Sequence, residues 1–220
     1  MTTRSILLLS FFTVITTVQG ASPPYSTDNI AGVWRHFVLS YEFSPAGTMR
    51  EAVTDSLTEY SALYRYELVQ RGTQTLIRYA QDLADTASCR YLLVCDITDS
   101  TGTFARGTPF IRNGGETGLA GSWTYADGLS IITWRFDRET AEYLHQSFDI
   151  LSGDFATVEY HTGILTKGQG EETDRFSVSF DDGTGAVLFP LIAGDIMYLF
   201  DLTAGRADFM KVATITASAD

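Results

Sequence analysis

Ile30-Ala31-Gly32-Val33-Trp34 returns later in the chain as Leu119-Ala120-Gly121-Ser122-Trp123. Two fainter echoes keep the same order. Leu76-Ile77-Arg78-Tyr79 is matched by Thr157-Val158-Glu159-Tyr160. Arg90-Tyr91-Leu92-Leu93-Val94-Cys95 is matched by Arg175-Phe176-Ser177-Val178-Ser179-Phe180. Self-similarity at a near-constant spacing signals a repeated architecture. The spacing predicts two related β-units, 30–118 and 119–213, each opened by a Gly-x-Trp strand.

Outward from these openings the chain reads as all-β. Asp127-Gly128, Ser152-Gly153-Asp154, Asp182-Gly183, Gly194-Asp195 and Ala204-Gly205 punctuate the second unit. These are the residue types that supply positive φ in hairpin turns. Between them the pattern predicts strands over 121–126, 129–136, 141–150, 155–165, 173–181, 185–190, 194–201 and 207–213. Phe176, Val178 and Phe180 alternate with polar neighbours, as antiparallel strands do when one face covers a core. The first unit shows fewer strands: 32–43, 59–70, 73–81, 90–98 and 102–106, with 44–58 read as a loop or a short helix. The expected fold is an antiparallel up-and-down β-barrel, closed so that no strand edge is left bare. One larger barrel made from both units and two barrels in tandem both fit the repeat. The shortage of strands in the first unit favours the single barrel.

Residues 1–20 carry a weakly basic start, an apolar run from Ser5 to Val18 and a Val18-Gln19-Gly20 cleavage pattern. This is the form of a secretory signal peptide, too short for a membrane span. Residues 21–29 read as a Ser/Pro linker and 214–220 as a tail. The expected location is therefore extracellular. The net charge is −12, with 15 basic against 27 acidic residues. Such a balance argues against nucleic acid and against anionic membrane surfaces, which attract basic patches. No later apolar run is long enough to cross a bilayer as a helix.

Cys89 and Cys95 conflict with the strand between them. Cysteines in a secreted chain usually pair. Six residues of extended chain span roughly 20 Å, whereas a disulfide needs Cα atoms about 4.4–6.8 Å apart. Either the segment bends sharply or the thiols stay unpaired.

A Gly-x-Trp near the start of an up-and-down series of strands, as in Gly32-Val33-Trp34 and again in Gly121-Ser122-Trp123, resembles the lipocalin and wider calycin barrels. Strand rhythm carries the resemblance over most of 30–213. The family's later Thr-Asp-Tyr and closing Arg motifs are not evident. The resemblance implies that each Trp closes the bottom of a barrel whose interior takes a small apolar ligand.

The residues select candidates for that interior. Trp34 and Trp123 are large apolar plates. His36 shares a face with Trp34. Tyr60, Tyr64 and Tyr66 share one face of the 59–70 strand, where rings and hydroxyls together suit an amphipathic molecule. These six form the expected ligand-binding set. No His-Glu-x-x-His, Gly-x-Ser-x-Gly, P-loop or Cys-x-x-Cys pattern occurs, so no catalytic residue, metal ligand or cofactor is assigned. The leading expectation is a secreted barrel that binds a small hydrophobic or amphipathic ligand. Its rivals are an interaction module with a filled core and a barrel enzyme of the cyclase or isomerase type.

Overall fold

The computed structural model describes residues 25–55, 59–114, 117–169 and 174–212. The expected leader, most of the linker and the tail lie outside them. Among the described residues a single helical turn, α1 (Thr27–Ile30), is followed by sixteen strands. The first eight are β1 (Gly32–His36), β2 (Leu39–Ser44), β3 (Thr48–Thr54), β4 (Glu59–Arg71), β5 (Gln74–Ala80), β6 (Arg90–Ile97), β7 (Thr101–Arg106) and β8 (Thr108–Asn113). The second eight are β9 (Gly121–Ala126), β10 (Ser130–Phe136), β11 (Thr140–Asp149), β12 (Asp154–Lys167), β13 (Phe176–Phe180), β14 (Gly185–Ala193), β15 (Ile196–Asp201) and β16 (Arg206–Val212).

These strands build two closed antiparallel barrels of eight strands each, in place of the single larger barrel favoured by the strand count. The first runs β1 to β7 and is closed by β16, which pairs with both β1 and β7. The second runs β9 to β15 and is closed by β8, which pairs with β9 and β15. Each sequence unit thus holds eight strands, and each sends its eighth to close the other barrel. The second barrel is contiguous in the chain, whereas the first is interrupted between β7 and β16.

Three strands of the first unit escape the sequence pattern for physical reasons. β1 and β2 merge because their connection, Phe37-Val38, lacks a turn residue. Phe37 takes φ 49° there, a region that β-carbon-bearing residues rarely occupy. β3 replaces the expected loop or short helix: its inward positions are Met49 and Glu51, and a buried glutamate breaks the apolar alternation that would mark a strand. β8 lies among Gly and Pro residues at the end of the unit. Only the Gly-x-Trp echo joins equivalent strands. The other two echoes pair β5 with β12 and β6 with β13, one strand out of step. Short apolar alternations recur on any half-buried strand, so they carry little register information.

The barrels pack through Leu76, Leu93 and Ala105 of the first against Phe189, Leu191, Tyr198 and Phe200 of the second. Tyr198 donates its buried hydroxyl to the Cys89 carbonyl at 2.7 Å. Strands at this seam bury both faces, which explains the unbroken apolar runs Leu92-Leu93-Val94 and Tyr198-Leu199-Phe200. Cys89 and Cys95 are unpaired, Cys89 immediately before β6 and Cys95 within it.

Candidate functional site

Both barrels are floored in the same way. Gly32 (φ +129°) and Gly121 (φ +118°) take a backbone conformation that residues with a β-carbon avoid. Two residues on, Trp34 and Trp123 are fully buried. Trp34 Nε1 donates to the Ile30 carbonyl at 2.7 Å, and Trp123 Nε1 to the Leu119 carbonyl at 2.9 Å. Each indole also carries a cation from the closing strand. Lys211 Nζ lies 4.9 Å from the Trp34 ring centre and Arg112 Cζ lies 4.0 Å from that of Trp123. The registers agree, Trp34 facing Lys211 and Trp123 facing Arg112.

Starting from these tryptophans, the strand registers give one-to-one equivalences around both barrels. Tyr64 corresponds to Gly163, Met49 to Ala141, Tyr79 to Val178, Arg90 to Ala186 and Phe104 to Leu199. At each of these positions the second barrel carries the smaller side chain, whereas Tyr41, Glu51 and Ala62 correspond to the larger Trp134, Tyr143 and His161. The first barrel is filled by Trp34, Tyr41, Phe43, Tyr66, Phe104 and Phe209, whose rings meet in edge and stacked pairs. The second barrel retains a cavity of about 380 Å³.

The cavity has an apolar wall and a polar mouth. Phe110, Ile132, Trp134, Leu188 and Leu199 form much of the wall. Arg106, Glu159, His161, Thr184 and Asp201 stand among its polar lining residues. Tyr143 stacks on His161, with ring centres 6.2 Å apart. His161 Nε2 lies 2.9 Å from Glu159 Oε1, and Nδ1 lies 3.3 Å from Asp182 Oδ2. The hydrogen bond to Glu159 is the largest influence on the imidazole and raises its pKa above the ordinary 6.5. Asp182 is held below the usual carboxylate range by hydrogen bonds from Thr184. His161, Asp181 and Asp182 bring one ligating atom each within 4.8 Å of one another. Hydrogen bonds from Thr162 and Thr184 already engage those carboxylates.

A pH dependence follows with a definite sign. The raised pKa means that the folded protein holds the His161 proton more tightly than the unfolded chain does. The resulting stabilisation is complete below pH 6.5 and is lost as pH rises through the folded-state value. An NMR titration of the His161 ring should give a midpoint above 6.5, and Glu159→Gln should lower it. A midpoint that Glu159→Gln leaves in place would remove Glu159 as the cause.

The six residues selected from sequence do not converge on one site. Trp34, Tyr64 and Tyr66 lie in the packed core of the first barrel, while Trp123 lies in the core of the second. Tyr66 donates its hydroxyl to the Ser44 carbonyl at 2.9 Å. Tyr60 is 47% exposed at the rim, its hydroxyl 3.3 Å from that of Tyr64. His36 Nδ1 lies 2.7 Å from the Asp208 carbonyl, its ring against Phe37 and Phe209. Trp134, Tyr143, Glu159 and His161 were not selected. The alternation of Glu159 and His161 on one strand beside Asp181-Asp182-Gly183 was the available signal, but a hairpin turn accounts for the aspartates equally well.

Family models, curated proteins and solved structures offer no match to this chain. The functional reading therefore rests on the geometry of the second barrel.

Proposed function

We propose that the second barrel binds a small hydrophobic or amphipathic molecule, and that the protein is an exported carrier of the lipocalin-like kind. The observation that carries this reading is the 380 Å³ cavity, walled by Trp134, Leu188 and Leu199 and rimmed by charged groups. Small barrels are normally filled by their own side chains, and the first barrel is. Ala186 and Leu199 line the cavity where the first barrel carries Arg90 and Phe104, which favours a site shaped for an occupant. The apolar wall favours an apolar body, and the mouth favours a polar group at its end. The leader pattern over 1–20 supports export.

The neutral dye N-phenyl-1-naphthylamine tests the cavity. It should bind saturably, one per chain, and added salt should change the affinity little, because burial of apolar surface drives it. Ala186→Trp places an indole in the cavity and should abolish the binding. Dye binding that survives Ala186→Trp in a folded protein would overturn the proposal.

A second reading has one specific observation behind it. His161, set between Glu159 and Asp182 at the mouth, is the kind of polar convergence that proton transfer on a bound molecule needs. If the site turns over its ligand, His161→Gln should stop turnover while leaving affinity nearly unchanged.

A further inference from the structure

A second concavity lies between the barrels. It measures about 820 Å³ and is lined by Arg90, Arg106, Pro109, Ile111, Tyr125 and Ile196 among other residues. Among the described residues none that lines it is acidic, on a chain whose net charge is −12.

Its charged end is organised from beneath. Glu51 is only 3% exposed inside the first barrel. Arg106 Nη1 lies 3.5 Å from Glu51 Oε1, and Arg90 Nη1 lies 3.8 Å from Oε2. One carboxylate thus holds two guanidiniums side by side, both about half exposed. Each guanidinium offers five N–H donors, more than a single carboxylate can engage. The two contacts are also longer than the roughly 2.7–2.9 Å of a strong charge-assisted bond. The triad keeps a net positive charge, and both arginines line the groove.

The fold does not require this triad. The equivalent positions in the second barrel are Tyr143, Ala186 and Asp201. Burying a carboxylate is costly unless well-placed partners offset it, and loose contacts offset it poorly. Preorganising two arginines for an incoming anion explains the arrangement better than stability does.

Away from the arginines the groove is lined mostly by apolar residues, with Ser88, Thr108 and Thr124 among them. From Arg106 the chain continues through Gly107 and Thr108 into Pro109 and Ile111, all lining residues. Five residues of extended chain cover roughly 16 Å. The arginines stand at one end of this length, and Ile111, which is 62% exposed, stands at the other.

We propose that the groove between the barrels binds an amphipathic monocarboxylate. The carboxylate bridges Arg90 and Arg106, and the alkyl tail lies along Pro109, Ile111 and Tyr125. Glu51 is a positioning residue that holds the two guanidiniums near one another and touches no ligand. The site adjoins the second barrel's cavity, with which it shares Arg106 and Thr108, but differs from it in that Arg90 and Ile111 do not line that cavity.

Decanoate and decanol are the probes, titrated calorimetrically into Ala186→Trp protein so that the cavity is filled. Decanoate should bind saturably and decanol much more weakly. Arg90→Gln should weaken decanoate by about tenfold or more, the effect of losing a hydrogen bond to a charged group. Ile111→Asp, at an exposed position that does not threaten folding, should weaken it comparably by setting a charged, hydrated group against the apolar tail. Glu51→Gln should weaken decanoate and leave decanol unchanged. The proposal is overturned if decanoate does not bind, or if Arg90→Gln and Ile111→Asp both leave its affinity intact. It is equally overturned if decanoate binds wild-type protein but not Ala186→Trp, because the anion would then occupy the second barrel. The dye experiment on the cavity can fail without touching any of these outcomes.

Discussion

A chain that ends at Leu202 should lose the first barrel and keep the second. All of β8 to β15 remains in such a chain, so the second barrel still closes. The first barrel loses β16, leaving the edges of β1 and β7 bare. It also loses Phe209, which packs 5.2 Å from Tyr41 and 5.4 Å from Phe104 between ring centres. Exposed edges and a missing core ring together remove the basis for a closed structure. The three tryptophans report the outcome separately, since Trp34 lies in the first core and Trp123 and Trp134 in the second. In an indole N–H spectrum the Trp34 resonance should collapse to its unfolded position while the other two stay dispersed. A synthetic peptide spanning 203–213, added to the truncated protein, should restore it. Retention of all three native resonances without the peptide would refute the shared closure of the barrels.

Truncating either floor tryptophan should be the most damaging single substitution. Trp34→Ala and Trp123→Ala should each cost about 3–5 kcal/mol, as removal of a fully buried large aromatic does. Each loses its ring packing, the indole hydrogen bond to the carbonyl four residues earlier and the cation above the ring. The two losses should differ in kind. Trp34→Ala should destabilise the first barrel and leave N-phenyl-1-naphthylamine binding largely intact, whereas Trp123→Ala should reduce both. Denaturant unfolding that shows less than about 1 kcal/mol for either variant would mean the indole is not a structural floor.

Much of the architecture was legible because turn residues and alternation mark strands locally. The all-β class, the closed antiparallel barrel and the two Gly-x-Trp openings could all be read from the chain. The exchange of eighth strands could not. Phe110-Ile111-Arg112 and Phe209-Met210-Lys211 share a pattern, but one precedes its Gly-x-Trp partner and the other follows at the far end of the chain. No local signal says which barrel a strand joins. The closing cation escaped notice for the same reason, since Arg112 stands before Trp123 in sequence. The candidate site was legible in part. Aromatic residues mark the first barrel, where they fill the interior, while the cavity of the second opens where Ala186 and Leu199 stand in the places of Arg90 and Phe104. Missing volume appears only when two registers are compared position by position.

The interrupted first barrel also bears on the order in which the molecule assembles. As the polypeptide is made, β1 to β7 emerge early but wait for their last neighbour through roughly a hundred residues of further synthesis, a separation that by itself slows closure. The second barrel, finished later, needs nothing from outside its own stretch. Once it forms, Thr108 and Leu199 are paired neighbours, so the chain leaves it at both ends from adjoining strands. Ala105 and Arg206, the first pair of the next ladder, are then brought close together without a long search. The later-born barrel acts as a jig for the earlier one, and refolding experiments should find the first barrel's tryptophan the last to reach its native signal.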